Sequence, residues 1–435
     1  MHSTYRIYQI FSSLAVIAGF PPFWLYSRLT GRHRDGLSQR LGRYSPVDAA
    51  HIQGSPRFWI HAASMGEVMA ADALIDHLRL MCPGCAIILS TVTEHGYRLA
   101  EKQMSGNVYP MYAPIDFIPA VSRTMRIFRP DILAFMETEL WPNWIMTAHG
   151  MGIKTVLING RISRRSIGGY LKIRPMMSEL LNHMSGFSMI QAGDAARICQ
   201  MGAPAARVMV NGNAKYDRLL NQTNEMDRQP VQWFLDRLTG RPVFLGGSIR
   251  QEEYRMLISV FEDLQGFFPD LLLILAPRHL GRLPDICREL SARGIGFQKR
   301  TDIGSGAITT PVLVLDTMGE LKDLYRVADV VFCGGSLAPK GGQNVMEPAA
   351  WGKPVLFGPH MDDFLDARDM LEATGGGRTV ADTRALFENV RLLLTHPDQA
   401  AAMGSRARIA VESNRGAAKR HARFMVRQLT SSDMC

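Results

Sequence analysis

The side chains best suited to chemistry lie in loops that follow short apolar runs. Residues 61–67 read HAASMGE and bring Glu67 to the start of a helical segment. A carboxylate anchored at a strand–helix junction is well placed to act as a general base. Acidic residues in first helical turns also complement the helix dipole, so both interpretations of Glu67 stand on local features alone.

A second loop carries paired carboxylates. Residues 137–143 read ETELWPN, with Glu137 and Glu139 directly after the apolar run DILAFM. Two carboxylates at the end of a strand can orient a sugar hydroxyl or a cationic group. The alternative for Glu139 is a place in the first turn of the following helix, with no further role.

A third loop is rich in arginine. Residues 159–166 read NGRISRRS and contain Arg161, Arg164 and Arg165. Guanidinium groups match the oxygens of phosphate and carboxylate groups, so this cluster predicts an anion clamp. Solvated surface charge is the alternative interpretation.

The second half of the chain holds glycine-rich loops. Residues 277–279 (PRH) end one apolar run, where an arginine can meet a nucleotide phosphate, and residues 334–336 (GGS) end another. Residues 340–350 read KGGQNVMEPAA, in which glycines permit close backbone approach before a helix begins. This pattern predicts an anion site. Glu347, expected one turn into that helix, can accept hydrogen bonds from ribose hydroxyls.

Missing motifs disfavour several other chemistries. The glycine-rich loop is not GxxxxGK[ST], the first strand–helix turn lacks GxGxxG, and the chain has no HExxH. The sequence therefore predicts no metal site and no nicotinamide cofactor. Cys82 and Cys85 form a CxxC pattern, but no second pair or nearby histidine completes a zinc set. With six dispersed cysteines, we expect a reducing compartment and no disulfide framework.

The candidate loops need a framework that brings them together. From residue 57 onward apolar runs alternate with helical-period segments such as 66–80 and 139–148, which predicts parallel sheets covered by helices on both faces. The pattern pauses at 216–240 and restarts, so we expect two Rossmann-like domains facing a cleft, with ligands at the carboxyl ends of the strands. The predicted strands are 57–62, 86–91, 131–136, 154–159, 187–192, 242–247, 271–276, 311–316, 329–335 and 353–358.

The N-terminus is a compositional anomaly. Residues 7–26 carry no charge and are just long enough to span the hydrocarbon core of a bilayer. Polar residues and an expected break at Pro21 and Pro22 make interfacial placement a second interpretation, and a buried helix is a third. Arginines gather after the run, which disfavours a secretory signal and predicts that the rest of the chain is cytoplasmic. These are Arg28, Arg32, Arg34, Arg40 and Arg43.

Composition limits the function classes. The 435 residues are 46% hydrophobic and 20% charged, which predicts two or three globular domains and excludes wholesale disorder. A net charge of +9 favours an anionic partner, such as a phosphorylated molecule or an acidic membrane surface. Nucleic acid is set aside because no basic stripe is interleaved with aromatic residues. The expected bounds are 1–30 for a membrane anchor, 31–220 for an acceptor-binding domain, 221–240 for a linker, 241–410 for a donor-binding domain and 411–435 for a helical segment.

Several segments occur together in a characteristic order and spacing. They are HAASMGEVMAA, ETELWPN, NGRISRRS, GNAKYD, PRH, DTMGEL, LYRVADVVFCGGSLAPKGGQN and EPAAWGKPVLFGP. In these segments the chain resembles the 3-deoxy-D-manno-octulosonic acid (Kdo) transferases of Gram-negative bacteria, over about residues 5–430. The resemblance implies a metal-independent glycosyltransferase of the GT-B class, with an N-terminal membrane-anchor helix. Such an enzyme moves Kdo from CMP-Kdo to lipid IVA, a phosphorylated lipid A precursor, at the inner face of the inner membrane.

The resemblance also implies residue roles. Glu67 is the general base, and Glu137 or Glu139, together with Lys215 of GNAKYD, stabilises the transition state. Donor binding falls to residues of the second half, and acceptor binding to residues of the first. The donor residues are Pro277, Arg278, Met318, Gly319, Glu320, Ser336, Lys340, Asn344, Val345, Met346 and Glu347, and the acceptor residues are Ser64, Arg161, Arg164 and Arg165.

Three donor-side segments depart from the family pattern. Gln343 stands where the family usually has histidine, residues 249–253 (IRQEE) replace Thr-x-x-Gly-Glu, and PRHLGR replaces PRHPER. Because all three bear on the donor, a GT-B enzyme with a UDP-sugar donor and a lipid-linked acceptor is the alternative activity. A catalytically silent lipid A-binding protein is the alternative of another class.

Overall fold

The computed structural model describes residues 3–30, 36–44, 52–103, 108–217, 219, 234, 240–250, 252–303 and 306–430. The chain divides into two compact units, Met1–Arg218 with Gly416–Cys435, and Leu219–Arg415. Most of the predicted linker at 221–240 lies outside the described residues, as do Arg32 and Arg34 of the basic cluster.

The first unit is built on a parallel seven-stranded sheet in the order β3-β2-β1-β4-β5-β6-β7. Its central strands are buried at every position, as in β2 and β4, because helices cover both faces. The strands are β1 (Arg57–His61), β2 (Ala86–Thr91), β3 (Val108–Tyr112), β4 (Ile132–Met136), β5 (Lys154–Gly160), β6 (Gly186–Met189) and β7 (Val208–Val210). The helices are α1 (Ser3–Thr30), α2 (Leu37–Arg40), α3 (Met65–Met81), α4 (Glu94–Gln103), α5 (Ile118–Phe128), α6 (Pro142–Gly150), α7 (Ile167–Lys172), α8 (Arg174–His183) and α9 (Ala192–Met201).

The second unit repeats this architecture with another parallel seven-stranded sheet, in the order β10-β11-β9-β8-β12-β13-β14. Its strands are β8 (Val243–Ile249), β9 (Leu272–Pro277), β10 (Phe297–Lys299), β11 (Val312–Val314), β12 (Val330–Cys333), β13 (Val355–Phe357) and β14 (Gly377–Thr379). Its helices are α10 (Glu253–Gln265), α11 (Leu283–Ala292), α12 (Leu321–Leu324), α13 (Met346–Ala350), α14 (Leu365–Thr374), α15 (Thr383–Thr395) and α16 (Pro397–Glu412). The prediction of two Rossmann-like domains is confirmed.

All ten predicted strands are present, and the described residues contain four more, β3, β7, β10 and β14. These four are the edges of the two sheets. An edge strand is covered less completely, and β7, β10 and β14 are largely exposed or half-buried. The continuous apolar run that reveals a central strand is therefore missing from them.

Helix α1 is longer and more regular than the sequence suggests. It continues through Pro21 and Pro22, so the expected break is wrong. Residues 4–30 are long and apolar enough to cross a membrane by length and composition. The start of α1 is held to the first unit, because the Tyr5 hydroxyl donates to Asn143 Oδ1 and the Tyr8 hydroxyl donates to Asp116 Oδ2.

The last helix, α17 (Ala417–Thr430), belongs to the first unit although α16 before it belongs to the second. Its apolar residues Ala418, Ala422 and Met425 are buried in the same core as α3. Asp217 caps its N-terminus by accepting hydrogen bonds from the backbone N–H groups of Gly416 and Ala418, at 2.5 and 2.7 Å. The C-terminal helix is thus tied to the segment that follows β7.

Replacing Asp217 with alanine should loosen α17. Loss of a helix N-cap costs about 1–2 kcal/mol, so we expect a lower thermal midpoint and faster proteolysis between residues 415 and 430. Asp382→Ala is the matched control, since Asp382 caps α15 of the second unit through the Ala385 N–H. It should lower the midpoint without exposing α17. Unchanged protease resistance of α17 in Asp217→Ala would contradict the assignment.

Candidate active site

The strand order of the first sheet reverses between the neighbouring strands β1 and β4. In open parallel sheets ligands bind at such a switch point, outside the carboxyl ends of the strands. The loop after β1 leads to Glu67, and the loop after β4 contains Glu137 and Glu139. The fold therefore brings together three carboxylates that lie in two separate sequence motifs.

Glu67 is the third residue of α3 and is 7% exposed. Its Oε1 accepts a hydrogen bond from the Ser64 hydroxyl at 2.7 Å, and its Oε2 accepts one from the Ala63 N–H at 2.9 Å. Ser64 is the N-cap of α3, so Ser64 and Glu67 form a capping arrangement. Glu67 complements the helix N-terminus and is also fixed in position at the switch point, so the two interpretations are not exclusive.

The pKa of Glu67 is raised to about 7, chiefly by burial and then by the negative charge of Glu137. Hydrogen bonds from Ser64 and Ala63 oppose this rise, and Glu139 adds a smaller increase. A carboxyl group with a pKa near the working pH is suited to accept and release a proton. Glu67 thus has the electrostatics of a general base.

Glu137 forms an ion pair with the Nζ of Lys215. It has a left-handed backbone with φ of 54°, which turns the chain sharply at the end of β4. Lys215 is held in turn, since the N–H of Ala214 donates to Asn159 Oδ1 and the N–H of Lys215 donates to Asn213 Oδ1. The structure thus pairs Lys215 with Glu137, and the part of these residues in stabilising the transition state stays a prediction.

Glu139 lies in the loop before α6, which begins at Pro142. The alternative that placed it in the first helical turn is therefore wrong, because proline at the helix start displaces the boundary by three residues. Its Oε2 accepts a hydrogen bond from Trp141 Nε1 at 2.7 Å and lies 3.7 Å from His61 Nε2. The pKa of Glu139 is lowered, with the interaction with His61 as the largest cause.

The arginine loop adjoins this cluster through its backbone. The N–H of Arg161 donates to the carbonyl of Glu137 at 3.4 Å, and its carbonyl accepts from the Thr138 hydroxyl at 2.7 Å. Arg161 is half-buried, whereas Arg164 and Arg165 are exposed. Acceptor binding by these three residues stays a prediction, as does a contact of Ser64 with the acceptor, because the Ser64 hydroxyl is directed to Glu67.

The second sheet reverses its order between β8 and β12, and the loop after β12 begins at Gly334. The buried carboxylate of Glu253 accepts five backbone hydrogen bonds there, from Arg250 and residues 335–338. A protein carboxylate thus occupies the nest of N–H groups that glycine-rich loops offer to anions.

Ser336 is part of this internal arrangement. Its side chain is fully buried, its hydroxyl donates to the Cys333 carbonyl, and its Oγ accepts from the Gly358 N–H. The side chain of Ser336 thus shapes the loop, and its contact with donor phosphate or carboxylate stays a prediction. Lys340, further along the loop, is exposed.

The 344–347 segment differs from its prediction in the place of Glu347. Glu347 is the second residue of the five-residue helix α13 instead of one turn inside a longer helix. Val345 and Met346 have fully buried side chains, so they can offer a ligand only their backbone. Asn344 organises the turn, because its Nδ2 donates to Glu347 Oε1 at 3.1 Å and its Oδ1 accepts from the Met346 N–H at 3.2 Å.

The other predicted donor residues lie at the same carboxyl edge of the sheet. Burial raises the pKa of Glu347, and the positive charges of Lys322 and Arg278 oppose that rise. The side chain of Met318 is 66% exposed, beside Gly319 with φ of 94°. The remaining predicted residues are Pro277, buried at the end of β9, and Glu320, which accepts a hydrogen bond from Arg300.

Gln343, the departure from the family histidine, donates its Nε2 to the Gly342 carbonyl at 2.7 Å. Of the altered segment 249–253, Gln251 lies outside the described residues. The part of the chain that the structure describes contains no group of three or more His, Cys, Asp and Glu side chains able to hold a metal ion. Cys82 and Cys85 are free thiols between α3 and β2, where the sequence places them.

Sequence reasoning missed the buried residues that support the candidate site. Ser90 contacts His61, which lies 3.7 Å from Glu139, and Glu253 accepts hydrogen bonds from the loop after β12. A polar residue at the end of an apolar strand was the available signal for His61 and Ser90. Glu253 gave no such signal, because a first-turn glutamate is common in surface helices.

Two Rossmann-type units, each built on a parallel seven-stranded sheet, have the architecture of the GT-B class, and a buried glutamate lies at the switch point of the first. A family model described as 3-deoxy-D-manno-octulosonic-acid transferase (kdotransferase) matches residues 35–218. The chain is 32% identical to the 3-deoxy-D-manno-octulosonic acid transferase of Haemophilus influenzae, over 91% of this chain and 92% of that protein. It is also 32% identical to the transferase of the same name from Bordetella pertussis, over 94% and 96%. The chain belongs to the Kdo transferase family.

Solved structures support the fold. A glycosyltransferase from Rickettsia africae matches with a TM-score of 0.60 and 12% identity, over 86% of this chain and 99% of that one. A UDP-GlcNAc 2-epimerase from Neisseria meningitidis matches with a TM-score of 0.62 and 14% identity, over 85% and 100%. At these identities the likeness concerns architecture alone.

Replacing Glu137 with glutamine should lower the pKa of Glu67. Glu137 is the largest charge that raises this pKa, so its neutralisation favours the ionised form of Glu67. The measurement is the pH dependence of the ¹³C carboxyl shift of Glu67, assigned with Glu67→Gln. Glu94→Gln, on an exposed turn of α4 where Glu94 pairs with Arg98, should leave the pKa near 7. An unchanged value in Glu137→Gln would contradict the electrostatic coupling.

Proposed function

We propose that this enzyme transfers Kdo from CMP-Kdo to lipid IVA, with inversion at the anomeric carbon and release of CMP. The observation that carries the proposal is Glu67, a fixed and buried carboxyl group with a pKa of about 7 at the switch point of the first sheet. Membership of the Kdo transferase family supports the sugar, and the segments of the second unit that resemble the family's donor loops support the nucleotide.

The proposed step is a single in-line displacement. Glu67 removes the proton of an acceptor hydroxyl, and the oxygen forms a bond to the anomeric carbon of Kdo. The bond between that carbon and the phosphate oxygen breaks, and CMP leaves with the electron pair. Because attack is opposite the leaving group, the configuration inverts. The proton stays on Glu67 until solvent removes it.

The charges of the site suit this donor and acceptor. Kdo has a carboxylate at its anomeric carbon, and both CMP and lipid IVA carry phosphate. We assign Lys215 to stabilising the negative charge of the donor and of the leaving group. Arg278 and Lys340 are the proposed donor contacts in the second unit. Glu137 or Glu139 stabilises positive charge that develops at the anomeric carbon. In this proposal cationic side chains and backbone dipoles take the place of a metal ion.

The proposed location is the cytoplasmic face of the bacterial inner membrane. Helix α1 supports this, because Ile10, Phe11, Leu14 and Ile17 are all more than half exposed although the start of the helix is held to the first unit. Basic residues at the end of α1 and just after it suit an anionic lipid surface.

Purified enzyme should add one or more Kdo masses to lipid IVA when CMP-Kdo is generated in situ. Mass spectrometry of the lipid gives the sugar count directly. Glu67→Gln should lower turnover roughly 10²-fold or more, since general-base catalysis is lost. The exposed Glu94→Gln should match wild type.

The donor nucleotide is tested by product inhibition, and we expect inhibition by CMP and not by UDP. UDP inhibition with no Kdo addition would replace the proposal with a UDP-sugar enzyme.

The rate should depend on pH through Glu67. The base must be deprotonated, so kcat/KM should fall about tenfold per pH unit well below pH 7 and level off above it. In Glu137→Gln the midpoint should move to lower pH, because a like charge has been removed. A profile with no inflection between pH 6 and 8 would exclude Glu67, with its pKa of about 7, as the base.

A further inference from the structure

His61 is the last residue of β1, and its imidazole is fully buried. It is surrounded by the rings of Phe135, Trp141 and Trp144, with centroid distances of 6.4, 5.7 and 5.0 Å. An imidazole enclosed by aromatic rings needs partners for both ring nitrogens, because an unpaired polar atom is costly there. The two nitrogens of His61 have different environments.

The Nδ1 side fixes the tautomer. Nδ1 of His61 lies 2.9 Å from Ser90 Oγ on the neighbouring strand β2, and Trp59 Nε1 donates to the same oxygen at 2.8 Å. The indole N–H can only donate, and among the described residues His61 Nδ1 is the one acceptor within hydrogen-bond distance of Ser90 Oγ. The Ser90 hydroxyl proton is therefore directed to Nδ1, since it would otherwise be buried without a partner. Nδ1 is then an acceptor, and a neutral imidazole carries its proton on Nε2.

The Nε2 side points to the candidate active site. Among the described residues Nε2 has no hydrogen-bond partner, and its nearest ionic neighbour is Glu139 Oε2 at 3.7 Å. A buried N–H directed at a carboxylate favours the ionised form of that carboxylate. The lowered pKa of Glu139, with His61 as its main cause, agrees with this direction.

We propose that His61 is a positioning residue, which acts through Glu139: Ser90 fixes its tautomer, and its Nε2–H keeps Glu139 ionised and oriented beside Glu67. This inference rests on the proposed transfer reaction. It also separates the roles of the two glutamates. Glu137 is ion-paired with Lys215, whereas Glu139 accepts a hydrogen bond from the neutral indole of Trp141, so Glu139 is the carboxylate that offers negative charge to the anomeric carbon.

Other ionisable groups face the same carboxylates. Glu67 on α3 interacts with Glu137 after β4 and with Glu139, and Lys215 pairs with Glu137. The negative charge of Glu139 also raises the pKa of Tyr170 on α7, after the larger effect of burial. A change in pH dependence is therefore informative only if it depends on Glu139. This requirement sets the design of the kinetic test.

The tautomer of His61 can be tested by NMR without measuring catalysis. In full-length enzyme with ¹⁵N-labelled histidine, the His61 signal, assigned with His61→Phe, should have the pattern of a neutral Nε2–H imidazole. Ser90→Ala should shift it toward a mixture of tautomers, and Ser90→Thr, which keeps a hydroxyl, should retain the wild-type pattern. An Nδ1–H tautomer in wild type would overturn the inference.

The consequence for transfer is tested by kinetics with lipid IVA and CMP-Kdo. His61→Phe, which keeps an aromatic ring, should lower kcat roughly tenfold or more with KM changed far less. The acid limb of the pH profile should become steeper, because Glu139 then takes up a proton together with Glu67. In a Glu139→Gln background, His61→Phe should cause no further loss. Full additivity of the two changes, or an unchanged pH profile, would overturn the inference.

The proposed transfer reaction and the proposed role of His61 are overturned by different results. If wild type transfers no Kdo, the proposed function fails, whereas the tautomer measurement is still decided on its own. If wild type transfers Kdo and His61→Phe, with an unchanged thermal midpoint, has wild-type kcat, only the role of His61 is lost. If His61→Phe does not fold, kcat is compared between wild type and Ser90→Ala, which shifts the His61 tautomer but keeps the imidazole.

Discussion

The candidate active site depends on the reversal of strand order between β1 and β4. The helices after these two strands leave toward opposite faces of the sheet, so the loops between strand and helix diverge and leave a space at the sheet edge. Into this space the fold brings Glu67, Glu137 and Glu139. Like charges in a partly buried space raise each other's pKa, so the arrangement is stable only with compensating groups. Those groups define the chemistry that each carboxylate can perform.

Compensation differs for each carboxylate. Glu67 is held by the Ser64 hydroxyl and the Ala63 N–H, which do not fully offset its burial, so its pKa remains high. Glu137 is paired with a lysine, and Glu139 accepts a hydrogen bond from the neutral indole of Trp141. One site thus contains a carboxyl group with a raised pKa, an ion pair and a carboxyl group with a lowered pKa. In the second unit a buried carboxylate is compensated by backbone groups instead. Glu253 accepts hydrogen bonds from five backbone N–H groups and so fixes the loop after β12.

Errors of prediction arose where a local pattern competed with a tertiary contact. The pattern ETELWPN suggested a helix from Glu139, but Pro142 starts the helix later and leaves Glu139 free to meet Trp141 and His61. The part that Glu253 plays was likewise missed, because its carboxylate meets the backbone of the loop after β12 only in the folded unit. Edge strands were missed since their burial depends on neighbours that the sequence does not show.

The sequence by itself determined the two βα series, the central strands, the loops that carry the chemistry and the family. It did so because burial on both faces of a parallel sheet demands continuous apolar runs, and because the motifs lie where those runs end. Tertiary structure alone decided which carboxylate pairs with Lys215, which carboxylate has a raised pKa, and that Asp217, which follows Lys215 closely in the chain, caps the N-terminus of α17. These outcomes depend on distances between groups far apart in the chain and on local burial, which composition and spacing do not encode.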